Sequence, residues 1–240
     1  MNLQTNGLIK HEPERKFNLK NVTTIVWDLD GTIIDSLGVF IDIITDTFPE
    51  FGIEIPSIEF VSAHFHGSLE ETISSVIGVP VDDPIIGKII ASFLGHQQKY
   101  YEEVDSNIFD DAMAVIKKAH NAGIRQIIVT NRAHDDRGNA SPVSIVENTR
   151  LKGLIEQVIA GDSTEHRKPK IEVFDGNPPA ADTTLVIGDQ FVDVQFAGAI
   201  GARCIWIDRH NSHKHHGHKL DASWEDYTTI VTSLDRVEFN

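Results

Sequence analysis

Two patterns of apolar residues alternate along the chain. Short runs rich in β-branched residues predict five strands, at 22–27, 125–130, 157–160, 184–187 and 203–207. Apolar residues three or four positions apart predict helices between and after them, at 111–122, 142–152, 190–200 and 225–234, the last with Ser223 as its N-cap. Strands that alternate with helices are typical of an α/β domain built on a parallel sheet.

Residues 36–108 interrupt this alternation. They carry four helical patterns and no convincing pair of strands, with the patterns at 37–48, 57–65, 69–77 and 84–103. A stretch of this length far exceeds an ordinary connection between a strand and the next helix. The sequence therefore predicts a flexible N-terminal arm at 1–20, an α/β core at 21–35 and 109–240, and an inserted helical domain at 36–108.

Composition restricts the partners and the cellular location of the protein. The 240 residues include 21 Lys and Arg against 36 Asp and Glu, a formal net charge of −15. This acidity argues against nucleic acid or an anionic membrane as partner, because both select a basic surface. The chain has no apolar run long enough for a membrane span and a single cysteine, Cys204. These features predict a cytoplasmic protein and leave its oligomeric state open.

The first cluster of chemically interesting residues follows the first predicted strand. It reads Asp28-Leu29-Asp30-Gly31-Thr32. Residues two apart on an extended segment share a face, so the two carboxylates point the same way. Adjacent carboxylates repel and need a cation or a proton between them. The alternative is a solvated acidic turn, which the preceding apolar strand and the following Gly-Thr make less favourable.

Three more clusters come at or beyond strand ends, the edge at which open α/β sheets bind ligands. They are Thr130-Asn131-Arg132, Lys168-Pro169, and Gly188-Asp189 followed by Asp193. A hydroxyl with backbone N–H groups suits phosphate oxygens, a lysine suits an anion, and further carboxylates suit magnesium. Taken singly, each also fits a plain turn, a solvated lysine, or an acid favoured at a helix N-terminus.

The order DxDGT, T-N, K-P, GDxxxD resembles the phosphatases of the haloacid dehalogenase (HAD) superfamily across roughly residues 22–208. The helical insert after the first motif resembles the small α-helical cap of the phosphoglycolate phosphatase and β-phosphoglucomutase branch. Lys168-Pro169 followed by Phe174 also matches the K-P-x-x-x-x-F pattern of that branch. The resemblance implies a doubly wound, Rossmann-like parallel sheet of five strands in the order 3-2-1-4-5, which would bring the four clusters together.

The resemblance also implies roles for the two acids of the first motif. Asp28 would be the nucleophile, forming an aspartyl-phosphate, and would ligate Mg²⁺. Asp30 would be the general acid and base and would bind the metal through its backbone carbonyl. The dehalogenases of the superfamily lack this second aspartate, so its presence favours phosphoryl chemistry.

The other motifs would bind phosphate and metal. By the same resemblance, Thr130 and the Asn131 amide would hold the transferring phosphoryl group, and Lys168 would neutralise the nucleophile and the phosphate. Asp189 would ligate Mg²⁺ directly, and Asp193 would stand behind it through a water molecule.

The predicted function is thus a magnesium-dependent phosphatase that hydrolyses a small phosphorylated metabolite, similar to phosphoglycolate phosphatase. A phosphomutase of the β-phosphoglucomutase type is the alternative, because the two differ only in whether water or a sugar hydroxyl reaches the aspartyl-phosphate. Two other classes are a receiver-like phosphoacceptor and a catalytically inactive binding protein. The long insert argues against a receiver, which lacks one. The presence of every proposed catalytic residue argues against an inactive binding protein.

The insert is expected to select the substrate. Between residues 36 and 110 it has thirteen Asp and Glu, two Lys and no Arg, which favours neutral leaving groups, such as those of sugar phosphates, over phosphoglycolate. His64, His66 and Gly67 are its candidates for facing the leaving group, although the imidazoles are equally consistent with a solvated helix end. The histidine-rich segment 210–218 is expected to be a solvated loop able to bind transition metals adventitiously.

Overall fold

The computed structural model describes residues 17–18, 21–65, 68–102, 104–134, 141–209, 224, 226–235 and 237–238. A short parallel pair joins β1 (Phe17–Asn18) to β8 (Val237–Glu238). The main sheet has six strands, all parallel, in the order β4-β3-β2-β5-β6-β7. These strands are β2 (Thr24–Trp27), β3 (Arg125–Val129), β4 (Gln157–Ile159), β5 (Thr184–Gly188), β6 (Arg203–Ile207) and β7 (Thr228–Val231).

Helices cover both faces of this sheet, as the near-continuous burial of its strands requires. On one face α5 (Asp110–Asn121) and α6 (Pro142–Glu147) pack on a cluster that includes Ile25 and Trp27 of β2. On the other face α7 (Phe191–Ile200) packs on a cluster that includes Val26. Successive residues of the central strand thus point into opposite cores, and the carboxyl end of the strand is left for the site.

The predicted fold class and the order of the five predicted strands are confirmed, with β2 as strand 1 at the centre. The predicted helix at 225–234 is wrong, because residues 228–231 of this segment form the sixth strand at the edge of the sheet. Its predicted N-cap, Ser223, lies outside the described residues. The strand residues Thr228–Val231 are a β-branched run, and the backbone of the segment accepts from Cys204 N at 2.8 Å and from Asp208 N at 2.7 Å. The pairing with β6 outweighs the helical spacing of its apolar residues.

The insert contains four α-helices among its described residues, with no strand between them. They are α1 (Ser36–Thr47), α2 (Ile58–His64), α3 (Leu69–Ile77) and α4 (Pro84–Glu102), close to the predicted helices. They share their own apolar core, separate from the two cores of the sheet. Although α4 has 19 residues, no helix in the described ranges is long and apolar enough to cross a membrane.

The two ends of the insert lie side by side on the core. Asp35 N donates to Asn107 O and Phe109 N donates to Ile33 O, both at 2.9 Å. The chain therefore leaves the core directly after the Asp28–Thr32 turn and returns beside it, which sets the insert above the carboxyl edge of the sheet. Among the described residues, short 3₁₀ helices lie at Phe48–Phe51, Val104–Asn107, Ile171–Phe174 and Ala181–Thr183.

Candidate active site

The first predicted motif turns away from the sheet at the end of the central strand. Asp28 N still donates to Ile187 O of β5 at 2.8 Å, which fixes the Asp28 backbone at the sheet edge. The side chain of Asp28 is buried and that of Asp30 is partly buried. Gly31 has a φ of +75°, and a Cβ there would lie 2.1 Å from Asp189 Oδ2. The turn thus needs glycine both for its left-handed backbone and for the carboxylate packed against it.

Lys168 lies between two carboxylates of the site. Its Nζ is 2.5 Å from Asp28 Oδ1 and 2.6 Å from Asp193 Oδ1, and only 3% of its side chain is exposed. Burial alone would lower the pKa of Lys168, but the charges of Asp193 and Asp28 outweigh it, so the pKa lies above its ordinary value. The lysine is therefore a permanent cation beside the proposed nucleophile.

One lysine does not neutralise the acids around it. Burial is the largest cause that raises the pKa of Asp28 to about 7, with Asp193 and Asp30 adding to it and Lys168 opposing it. Burial and the charges of Asp28 and Asp193 also hold the pKa of Asp189 well above its usual range. The site without a further cation therefore resists full ionisation of its acids.

These acids fit a hard divalent cation. Oxygen atoms of Asp28, Asp189 and Asp193 all lie within 4.8 Å of one another. Asp189 Oδ1 is buried and has no hydrogen-bond partner among the described residues, although buried polar atoms are ordinarily paired. Carboxylate oxygens in this number and spacing are ligands that Mg²⁺ accepts. The donor set is thus suitable for the expected magnesium ion.

Asp193 is engaged more closely with protein groups than the sequence indicated. One of its carboxylate oxygens accepts from Lys168 Nζ, and the other accepts from Gln190 N at 3.0 Å, at the start of α7. A Cβ on Gly188 would lie 2.2 Å from Asp193 Cγ, so a larger residue there would displace the carboxylate. Asp193 therefore positions Lys168 as well as lying beside the metal candidates.

The Thr130-Asn131 pair closes the neighbouring strand β3. Thr130 N donates to Ile159 O at 3.0 Å and the Thr130 hydroxyl accepts from Arg132 N at 3.1 Å. The Asn131 side chain accepts from Lys168 N at 2.9 Å and donates to Lys168 O at 3.3 Å. Because the Asn131 side chain is bonded to the Lys168 backbone, the backbone N–H of Asn131 is the group of this residue that could bind a ligand.

Arg132 was not among the predicted site residues, yet it reaches the first motif. Its Nε donates to Asp30 Oδ2 at 3.0 Å, and its Nη2 and the Ser36 hydroxyl both donate to Asp30 Oδ1. The sequence signal was its place in the strand-end triplet Thr130-Asn131-Arg132. Periodicity does not give the direction of a loop side chain, so the pairing with Asp30 could not be read from it.

A cavity of about 790 Å³ lies over these residues, between core and insert. Asp28, Asp30, Thr130, Asn131, Lys168 and Asp193 line its core side. His64 is not among its lining residues. The Nδ1 of His64 lies 2.7 Å from Phe60 O of its own helix, and its ring stacks on the Phe60 ring at 4.2 Å. His66, Gly67 and segment 210–218 lie outside the described residues.

The match to a family model over most of the chain establishes the family. Residues 25–207 match the haloacid dehalogenase-like hydrolase family, and the chain belongs to it. The expected branch, similar to phosphoglycolate phosphatase, and the expected class of enzyme, a HAD-type phosphatase, are confirmed by this family match and by relatives that are phosphoglycolate phosphatases.

A curated phosphoglycolate phosphatase from Thiobacillus denitrificans is 26% identical over 190 residues, which cover 75% of this chain and 80% of that protein. A haloacid dehalogenase-like hydrolase from Bacteroides fragilis has a similar structure, with a TM-score of 0.63 and 19% identity, covering 90% of this chain and 99% of that one. CbbY from Rhodobacter sphaeroides, in a mutant complex with xylulose-(1,5)bisphosphate, gives a TM-score of 0.60 at 16% identity and covers 89% and 95%. The two structures show the shared fold.

Proposed function

We propose that this protein is a magnesium-dependent phosphatase that hydrolyses a small phosphomonoester through an aspartyl-phosphate on Asp28. The observation that carries the proposal is the buried contact between Asp28 Oδ1 and Lys168 Nζ, which holds one carboxylate beside a fixed cation at the floor of the cavity. The phosphoglycolate phosphatases among the relatives support this class of substrate.

In the first half of the reaction, a carboxylate oxygen of Asp28 attacks phosphorus in line and the bond from phosphorus to the leaving oxygen breaks. Asp30, with one oxygen released from Arg132 and protonated, transfers that proton to the leaving oxygen, so the alcohol leaves neutral. Arg132 and Ser36 hold the Asp30 carboxyl group in the lining of the cavity, two residues after Asp28.

In the second half, Asp30 takes a proton from a water molecule, whose oxygen attacks phosphorus. The bond from phosphorus to Asp28 breaks, inorganic phosphate leaves, and the Asp28 carboxylate and the Asp30 acid are restored. A phosphomutase would differ only in the hydroxyl group that replaces water at this step.

The remaining groups bind the phosphoryl oxygens. The Thr130 hydroxyl and the Asn131 backbone N–H act as donors from the end of β3, and Lys168 supplies a positive charge that water does not screen. Asp28, Asp189 and the backbone carbonyl of Asp30 would hold Mg²⁺, with Asp193 behind them through a water molecule. When bound, this ion offsets the negative charge that gathers on the phosphoryl oxygens.

Two measurements test the proposal. Phosphate release from a panel of phosphomonoesters should require Mg²⁺ and stop when a chelator is added. Rapid acid quenching followed by peptide mass spectrometry should detect one phosphoryl group on the peptide containing Asp28, and none in Asp28→Asn. Turnover without a phosphorylated peptide under saturating substrate, or phosphorylation at another residue, would remove the covalent mechanism.

A further inference from the structure

The cavity above Asp28 has a second wall that the phosphoryl chemistry does not use. Phe65, Leu69, Ile90 and Leu94, from three segments of the insert, line this side and are only partly buried. We call these four residues the apolar wall. They pack on the insert core behind them, and the rings of Phe65 and Phe40 lie 5.1 Å apart between centroids. The wall is therefore packed against the insert core on one side and exposed to the cavity on the other.

The spacing of these residues explains why they face one way. Ile90 and Leu94 are one turn apart on α4, and Leu69 begins α3 beside them. Their buried neighbours on the same helices, such as Ile89 and Phe93, fill the insert core. Apolar surface left open to water is unfavourable, and an apolar ligand placed on it would remove that surface from water.

The charges around the cavity do not favour a second anion on the substrate. Among the described residues that line the cavity, every Arg, Lys and His belongs to the core side. Each is already engaged by a protein acceptor. Lys168 contacts Asp28, Arg132 contacts Asp30, Arg167 donates to Gly161 O at 2.8 Å, and His134 Nδ1 lies 2.7 Å from Asp162 Oδ1. On the insert side the exposed Glu70 adds a negative charge.

We propose that the apolar wall binds the alcohol part of the substrate, and that this part is an uncharged group with an aromatic or extended aliphatic surface. This inference rests on the proposed phosphatase function and names its substrate class. A cavity of about 790 Å³ lies in the size range of sites that enclose such ligands. It is also continuous with Asp28, so a phosphoryl group on the core side places the alcohol against the wall. Leu94 and Ile90 are the specificity-determining residues.

The test compares kcat/KM for benzyl phosphate, glycerol 1-phosphate and 2-phosphoglycolate, with Mg²⁺ present. All three are esters of primary alcohols, so their leaving groups differ mainly in polarity and charge. We expect benzyl phosphate to exceed each of the other two by roughly 10-fold or more, because apolar pocket contacts discriminate on this scale. A preference for glycerol 1-phosphate or 2-phosphoglycolate would overturn the inference.

Variants assign the preference to the wall. Leu94→Gln and Ile90→Gln should each lower the ratio of kcat/KM for benzyl phosphate to kcat/KM for glycerol 1-phosphate by roughly 10-fold. Leu94→Met, which keeps an apolar side chain, and Val81→Gln, at a 50% exposed position outside the cavity lining, should retain the preference. An unchanged preference in both Gln variants would also overturn it. Absence of phosphate release from these three esters and from the whole phosphomonoester panel would overturn the phosphatase proposal itself. Release without preference for benzyl phosphate, or release only from other members of the panel, would overturn only this inference.

Discussion

Asp28 Oδ1 and Lys168 Nζ lie 2.5 Å apart although 140 residues separate them in the chain. The contact is buried, and it joins the end of the central strand to the loop that contains Lys168. The Asn131 side chain holds this loop through two hydrogen bonds to the Lys168 backbone. Because burial shields both charges from water, the pair affects both the reactivity and the stability of the protein. Five predictions test this site.

Replacement of Asp28 by Asn should abolish turnover and leave the fold intact, because the substitution is nearly isosteric. Steady-state phosphate release measures the first effect, and circular dichroism with thermal unfolding measures the second. Asp182→Asn, at an exposed acid, is the matched control and should keep wild-type activity. A folded Asp28→Asn protein with normal turnover would exclude Asp28 as the nucleophile.

Lys168→Met should lower kcat by at least about 100-fold, since it removes a preorganised cation from the phosphoryl group. It should also destabilise the fold by about 3–5 kcal/mol, because two buried carboxylates lose their cation. Lys152→Met, which breaks an exposed ion pair with Glu147, should cost less than about 1 kcal/mol. Adding Asp193→Asn to Lys168→Met should recover part of the stability and none of the activity. Recovery of activity in that double variant would contradict the role of Lys168.

Magnesium titrations should distinguish Asp189 from Asp193. Asp189 Oδ1 has no partner among the described residues, whereas both oxygens of Asp193 accept hydrogen bonds. Asp189→Ala should therefore raise the Mg²⁺ concentration for half-maximal activity by more than about 100-fold, and Asp193→Ala by about 10- to 100-fold. Unfolding curves should show the larger loss of stability for Asp193→Ala. Equal or reversed effects on magnesium would refute the distinction between direct and indirect ligation.

The stability of the metal-free protein should depend on pH through the same acids. Folding raises the pKa of Asp28 from 3.8 to about 7, so the native state binds more protons than the unfolded state in that window. This contribution therefore destabilises the protein as pH rises from about 4 to 7. The pKa of Asp189 is raised in the same direction.

In a chelator, Asp189→Asn should thus melt at a higher temperature than wild type at pH 8, and the difference should vanish near pH 4. Each 1 kcal/mol shifts Tm by roughly 2–4 °C in a protein of this size. Added Mg²⁺ should stabilise wild type more than the variant. A variant no more stable than wild type at pH 8 would show that the acids are neutralised in another way.

Arg132 should increase kcat through its contact with Asp30. Arg132→Met removes the fork that orients this carboxyl group and should lower kcat by about 10- to 100-fold, because small misplacements of a catalytic group have effects of that size. Arg150→Met, which removes ion pairs with Asp105 and Asp110 outside the cavity, should have no comparable effect on kcat. Equal kcat values for Arg132→Met and wild type would leave the contact without a catalytic role.

The five strands β2–β6 of the parallel core could be predicted from the sequence because they are short apolar runs rich in β-branched residues and bounded by polar residues or turns. The four motifs could be predicted because they follow those runs directly, and a parallel sheet gathers its carboxyl ends at one edge. The edge strand β7 could not, because Thr228–Val231 lies in a segment whose apolar spacing also fits a helix. Its strand conformation depends on pairing with β6, which is a tertiary effect.

Side-chain contacts in the site were the other feature that could not be predicted from the sequence. Asp193 was expected near the metal, but its contact with Lys168 depends on the relative placement of α7 and the Lys168 loop. The leaving group proposed from the structure also differs from the one that the sequence favoured. Counting charges favoured neutral leaving groups, whereas the apolar wall becomes visible only once α3 and α4 are packed over the cavity.

Three glycines shape the tolerance of this site to sequence change. A Cβ on Gly31 would lie 2.1 Å from Asp189, one on Gly188 would lie 2.2 Å from Asp193, and one on Gly161 would lie 2.2 Å from the Asn131 carbonyl oxygen. In a saturation mutagenesis map these positions should be as intolerant as the acids themselves, although they offer the substrate no functional group. Alanine at Gly31 or Gly188 would inactivate the enzyme by moving a carboxylate, and a search for catalytic residues based on lost activity alone would count both glycines among them.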